Sequence, residues 1–170
     1  MKLFRRRFKG FYAFILFICF TSIAPAQIGH ERSYHAQLYE ILNHGDAIRI
    51  ESRINDMKDI PSKDTMAYIG ALRMKLAGIL GSPLQKLSTF KEGKKSLEKA
   101  ISMDSINAEY RFLRLIIQEN APGILAYNHN LEEDKMYIIQ KFPKLNEFLK
   151  SEIRKYASTS KVLTLANLNE

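Results

Sequence analysis

Four polar side chains offer the most chemistry in this chain. Asn107, Arg111, Arg114 and Gln118 are spaced four, three and four residues apart. On a helix that spacing makes one polar stripe, set beside the apolar Ala108, Phe112, Leu115 and Ile116. The planar fork of an arginine matches a carboxylate or a phosphate. Two forks in register, with Gln118 beside them, would clamp a small acidic ligand or a peptide terminus. The same arginines would equally serve as internal partners for acids such as Glu51, Glu132 or Asp134, fixing how the flanking helices pack. Tyr68, Lys75 and Tyr127 suit either arrangement as neighbours.

Little else is equipped for catalysis. His30, His35, His44 and His129 include no pair at i, i+4, and no His-Glu-x-x-His occurs, so no metal site is expected. There is no Gly-x-Ser-x-Gly elbow, no phosphate loop and no Gly-x-Gly-x-x-Gly. Glu132, Glu133 and Asp134 are adjacent, and adjacent positions on a helical turn do not face each other. Their charge suits a helix N-terminus better than acid–base work. The expectation is a protein without enzymatic activity and without a cofactor.

The strongest signal concerns destination. Lys2, Arg5, Arg6, Arg7 and Lys9 precede the apolar run Phe11–Phe20, and Ala24-Pro25-Ala26 follows. This order marks residues 1–26 as a secretory signal peptide, cleaved after Ala26. The alternative is a retained anchor, but ten apolar residues are about half of the roughly 20 that span a bilayer. Export across the inner membrane to the periplasm or medium is expected, with membrane contact only through the signal segment before cleavage. Cys19, the single cysteine, has Ile18 before it where a lipid-modified cysteine needs a small residue, so it leaves with the signal. The mature chain then excludes a disulfide scaffold, a thiol enzyme and a cysteine-ligated metal. An ordinary apolar core must hold it despite an oxidising destination.

Export also changes the meaning of the charge. The whole chain has 26 basic and 18 acidic side chains, a net +8. Five of the basic ones fall in residues 1–26, which leaves 21 against 18, or +3. Nucleic-acid binding therefore loses its main support. The remaining 144 residues suffice for one core. Residues 27–156 are expected to form one helical domain, and residues 157–170 a polar tail that frays, unless Val162, Leu163 or Leu165 docks.

The elements that must position the arginine stripe are helices. Tyr34, Leu38, Ile41 and Leu42 fall at helical spacing, and Asn43-His44-Gly45 interrupts them. Asp46 is expected to cap a helix carrying Ile48, Ile54 and Met57, which stops before Pro61. Ser62 or Asp64 starts the next, in which bulky Ile69, Leu72, Leu76 and Leu80 alternate with small Ala67, Gly70, Ala71, Ala77 and Gly78. Gly81-Ser82-Pro83 reads as a stop and restart.

Residues 90–117 read as the organising pair: two amphipathic helices joined by a polar turn at Asp104–Asn107. Leu84, Leu87, Phe90, Leu97, Ala100 and Ile101 make the apolar face of the first, and Lys86, Lys91, Lys94, Lys95 and Lys99 its solvated face. Asp104 and Ser105 are expected to cap the second. Asn130 and Glu133 have capping-box spacing before a helix carrying Met136, Ile138 and Ile139. Phe142-Pro143 interrupts it, and a last helix holds Leu145, Phe148, Leu149, Ile153 and Tyr156. Sustained alternation and hairpin dipeptides are missing, so the fold class is all-α, with about six to seven helices.

Gly93, Leu97 and Ala100, followed by Asp104 and Ser105 at the turn, resemble the second helix of a tetratricopeptide repeat, with Ser105 in the place of the family's usual proline. Ala67–Met74, with Tyr68 and Gly70, is similar to the preceding helix of such a unit. Gly70 and Gly93 are 23 residues apart, so both helices are longer than a standard unit, and no second copy follows at the family's period of about 34 residues. The resemblance covers about a third of the mature chain. It implies antiparallel hairpins stacked as a right-handed bundle and a binding role; it does not carry over the family's groove residues. The stretch from AYIGAL through FLRLIIQENAP to LEEDK also resembles small exported bacterial proteins. The expected function is a protein- or peptide-binding module of the bacterial envelope. The alternative is a small anionic-ligand binder or hydrolase built on Arg111, Arg114 and Gln118.

Overall fold

Short polar side chains divide this chain into helices, each by accepting the N–H groups that a new helix leaves unpaired. The computed structural model describes residues 25–168, with side chains from residue 35 onward. The expected signal segment lies outside the described residues through position 24. Helix α1 is Pro25–His44, longer than the apolar spacing suggests. Asp46 accepts from the Arg49 N–H at 2.8 Å and opens α2 (Ala47–Met57). Ser62, not Asp64, accepts from the Thr65 N–H at 3.0 Å and opens α3 (Lys63–Ile79). Pro83 sits in the first turn of α4 (Pro83–Met103), although Ser82 makes no capping bond with its side chain.

The turn after α4 differs from expectation. Asn107, not Asp104 or Ser105, caps α5 (Ala108–Asn120), accepting from the Glu109 and Tyr110 N–H groups at 3.0 and 3.2 Å. Asp104 instead accepts from Lys63 Nζ at 3.0 Å. Asn107 is thereby spent on the backbone and leaves the polar stripe. A 3₁₀ turn follows at Gly123–Leu125, then α6 (Leu131–Lys141), a 3₁₀ turn at Phe142–Lys144, α7 (Glu147–Ala157) and the short α8 (Leu165–Leu168). Asn130 and Glu133 form no capping box: the Asn130 side chain does not cap, and its Nδ2 donates to Glu133 Oε2 at 3.3 Å. Among the described residues there is no strand, and the fold is all-α.

The closest pair of helices is α3 with α4, lying antiparallel. Lys63 reaches Asp104 near one end, Ser96 Oγ donates to the Met66 carbonyl at 2.9 Å, and Gly70 meets Gly93 nearer the other. A methyl placed on Gly70 would fall 2.6 Å from the Leu97 nitrogen, and one on Gly93 would fall 2.6 Å from the Gly70 carbonyl oxygen. Both glycines are therefore required by backbone approach. This corrects the expected hub: α4 and α5 touch far less, and α5 packs chiefly on α6 and α3.

The core is continuous across the helices, with Leu38, Ile50, Leu72, Leu97, Phe112, Leu115, Ile138 and Ile153 wholly inaccessible. Four residues expected on apolar faces are exposed instead: Ile48, Leu84, Leu87 and Met136. In α2 the buried positions are Ile50, Arg53 and Met57, and a residue two before Ile50 lies on nearly the opposite side of a 3.6-residue turn. The segment that follows α7 is tied down. Glu119 accepts from Tyr156 Oη at 2.5 Å, from Ser160 Oγ at 2.6 Å and from the Lys161 N–H at 2.7 Å. Leu163 and Leu168 are buried beyond that knot, while Leu165 is exposed. No helix of the described residues is long and apolar enough to cross a membrane.

Candidate functional site

Arg114 enters the interior from the middle of α5. Phe112, Leu113, Leu115, Ile116 and Ile117 are all buried around it, so the helix is covered on most sides. The guanidinium meets carboxylates there. Its Nε and Nη2 donate to the two oxygens of Asp134 at 2.6 and 2.8 Å, and Nη1 donates to Glu98 Oε2 at 2.9 Å. Asp134 is wholly buried. Burial acts to lower the arginine's pKa, but the bonds and charge of Asp134 outweigh it and hold the group above its ordinary value.

Arg111 extends the same cluster toward the surface. Its Nη1 donates to Glu133 Oε1 at 2.8 Å and to Asp134 Oδ1 at 3.0 Å, and its Nε donates to the Ser105 carbonyl at 3.0 Å. The guanidinium lies 4.4 Å from the centre of the Tyr137 ring. The Arg111 hydrogen bond holds the Glu133 carboxyl below the usual range. On the inner side, Tyr127 Oη donates to Glu98 Oε1 at 2.6 Å. Burial, then the Glu98 bond, raises the Tyr127 pKa. Two guanidiniums thus meet three carboxylates, which draws α4, α5, α6 and the loop before α6 together. Such a cluster offers no surplus positive charge to an incoming anion.

Of the acids named from sequence, Asp134 is a partner, whereas Glu132 pairs with Lys135 at 3.3 Å. Glu98 and Tyr127 are the members that spacing does not reveal. Glu98 is embedded in a lysine-rich helix face and looks solvated, and Tyr127 reaches it from 29 residues away. Gln118 shares the stripe but not the cluster. It is 2% exposed, and neither its Oε1 nor its Nε2 meets a protein partner.

A second polar cluster joins α1 to the bundle. Tyr39 Oη donates to Glu109 Oε1 at 3.0 Å, His35 Nδ1 lies 3.6 Å from the same oxygen, and Tyr68 Oη is 3.0 Å from that nitrogen. Tyr110 Oη donates to Asp64 nearby. Burial raises the Tyr39 and Tyr68 hydroxyls well above their ordinary range. Three grooves of the described residues, beside α2, beside α3 and α4, and between α3, α4 and α5, are lined by other residues, and no group of three or more His, Cys, Asp or Glu able to hold a metal occurs among the described residues.

An apolar opening lies elsewhere, where the C-terminal end of α3, the start of α4, the end of α5 and the following 3₁₀ turn meet. It is a groove of about 810 Å³. Met74, Ala77, Ile79, Leu87, Phe90, Ile117 and Leu125 line it, and its charged lining residues, Lys75 and Lys86, are both cationic. Of its lining residues Ile124 is 94% exposed, and Leu84, beside the lining residue Pro83 in the first turn of α4, is 78% exposed. Ala126, next to that wall, is the described non-glycine residue at positive φ (45°), so the loop turns sharply as it leaves the groove. The sequence signal for this site was available in Leu84 and Leu87, whose spacing assigns them to a core face. No family model, curated protein or solved structure matches this chain.

Proposed function

We propose that this is an exported, non-enzymatic binding module of the bacterial envelope, and that the groove between α3, α4 and α5 receives an apolar segment of a partner protein flanked by acidic residues. The observation that carries this is an apolar groove lining that includes the 94% exposed Ile124, with the exposed Leu84 one turn of α4 from the lining residue Leu87. A small-molecule site encloses its apolar lining. Here that lining runs outward into water, which suits a partner broad enough to cover both ends. Contiguous exposed apolar surface rimmed by polar groups marks interaction sites. Lys75 and Lys86, with no acid beside them in the lining, favour a negative flank on the partner.

Further support comes from sequence. The order of charge and apolar residues in positions 1–26 argues for export. The close antiparallel pairing of α3 with α4 through Gly70 and Gly93 is compatible with a tetratricopeptide-like hairpin, a scaffold suited to binding. The alternative anion clamp at Arg111 and Arg114 loses support, because both guanidiniums already hold carboxylates.

The test uses two fluorescent helical peptides with the same leucine and phenylalanine face, one flanked by glutamates and the other by lysines. The glutamate peptide should bind measurably tighter, and Leu87→Asp or Ile124→Asp should weaken it without lowering the melting temperature. Equal binding of both peptides, or indifference to both substitutions, would overturn the proposal.

A further inference from the structure

Arg73 differs from the other described arginines. Arg111 and Arg114 hold carboxylates, Arg49 holds Glu40, Arg154 lies over the Phe142 ring, and Arg53 is engaged as well. Arg73, half-buried on α3, has no hydrogen bond, ion pair or ring contact among the described residues. A half-buried arginine with no acceptor among the described residues keeps its donors available to a ligand. Its five N–H donors, fixed in a plane, suit a carboxylate or phosphate.

The surroundings specify what would carry that anion. Arg73 lines a groove of about 720 Å³, bounded by the loop before α3, by α3 itself and by α4. The other charged residues lining it are Lys58 and Lys63, and no acidic side chain lines it. Lys63 is already matched by Asp104 at 3.0 Å. The unbalanced positive charge therefore belongs to Arg73 and Lys58. Met66 and Ile69 line the groove between Lys63 and Arg73, on the same face of α3 as the arginine. Lys63 and Arg73 are ten residues apart, about 15 Å along the helix. The groove thus has Arg73 toward one end, an apolar floor of appreciable length, and at the other end Lys63, neutralised by Asp104, beside the loop that carries Lys58.

We propose that this groove binds a free anionic amphiphile, an acyl chain bearing a carboxylate or phosphate, with its head on Arg73 and its chain over Ile69 and Met66. A bare inorganic anion would leave the apolar floor uncovered. A neutral chain would leave Arg73 without an acceptor. The site is separate from the groove between α3, α4 and α5, since the two share no lining residue.

The test is titration of the purified protein with sodium decanoate, decyl phosphate, decanol and inorganic phosphate, all kept below the micellar range, followed by amide and methyl chemical shifts. Decanoate or decyl phosphate should bind saturably, with the largest shifts at Met66, Ile69 and Arg73. Decanol and inorganic phosphate should bind at least about tenfold more weakly, the loss expected for a charged hydrogen bond or for the chain. Arg73→Gln should weaken the amphiphile by a similar factor, and the exposed Lys58→Gln less so, each with an unchanged fold by far-ultraviolet dichroism. Which headgroup binds better identifies the carboxylate or the phosphate as the natural head. The proposal is overturned if neither amphiphile binds. It is equally overturned if their shifts fall at Phe90 and Ile117 instead, or if Arg73→Gln binds as the natural chain does. A failure of the peptide test above leaves this result independent, because the residues changed belong to different grooves.

Discussion

Gly70 and Gly93 face each other across α3 and α4 so closely that neither has room for a β-carbon. A methyl on Gly93 would meet the Gly70 carbonyl oxygen at 2.6 Å and the Met74 nitrogen at 2.9 Å. These are backbone atoms, which cannot swing aside. Alanine ordinarily gains about 1 kcal/mol over glycine inside a helix. Here overpacking should outweigh that gain, for a net loss of about 1–3 kcal/mol in Gly70→Ala or Gly93→Ala. Gly78, also inside α3, has no atom within 4 Å of the same added carbon. Gly78→Ala should therefore stabilise by up to about 1 kcal/mol. Urea titration of the three variants checks the contrast; a stabilising Gly93→Ala would refute the close approach.

Asp134 is the wholly buried partner of Arg114, a residue 5% exposed, and removing it leaves that guanidinium with Glu98 as its one remaining carboxylate. Asp134→Ala should cost about 3–5 kcal/mol. Replacing both members, Arg114→Met with Asp134→Leu, should restore most of that stability, since a matched apolar pair avoids desolvating either charge. A double variant no more stable than Asp134→Ala would argue that the cluster does more than fix packing.

Gln118 makes the opposite case. Its amide is buried without protein partners, so the apolar isostere should be the better core residue. Gln118→Met should stabilise the fold by about 1 kcal/mol or more. Thermal melting measures this directly. A destabilised Gln118→Met would mean that the amide is satisfied in solution.

Glu119 links stability to acid. Burial raises its pKa, but the bonds from Ser160, Tyr156 and the Lys161 backbone outweigh that and lower it below the ordinary value of 4.5. A lowered folded pKa contributes stability that is complete above the unfolded pKa and is lost as pH falls through the folded one. The loss from this group should thus fall below about pH 4.5, and Glu119→Gln should remove it. Hydrogen exchange at Leu163 and Leu168 gives the local readout. Exchange there that does not quicken in Glu119→Gln would show that the carboxylate does not hold the segment.

Local features of this fold were legible from sequence, and tertiary ones were not. Asp46 and Ser62 announce helices because a cap acts within three residues. The all-α class follows from apolar spacing that persists along the chain. Gly70 and Gly93 stand out individually as small residues, but that they touch depends on the register of two long helices. The acids before α6 look equivalent in sequence. Successive residues point about 100° apart, so Glu133 and Asp134 reach the arginines while Glu132 turns to Lys135. Leu84 and Leu87 carry the spacing of a core face, and nothing local tells that the bundle leaves this end of α4 uncovered.

Tyr127 gives the loop after α5 an unusual mechanical position. That loop carries Ile124 and Leu125 into the groove wall, and two residues later it is moored by the Tyr127 hydroxyl to Glu98, which also holds Arg114. The mooring thereby links the groove wall to the ion cluster through Glu98. A partner that levers Ile124 outward must stretch the mooring and, through Glu98, slacken Arg114 and α6 behind it. Occupancy of the groove would then be transmitted as altered amide exchange in α6, on residues that no partner touches. An α6 exchange pattern indifferent to a bound peptide would show the loop to be hinged between Leu125 and Tyr127, at the left-handed Ala126.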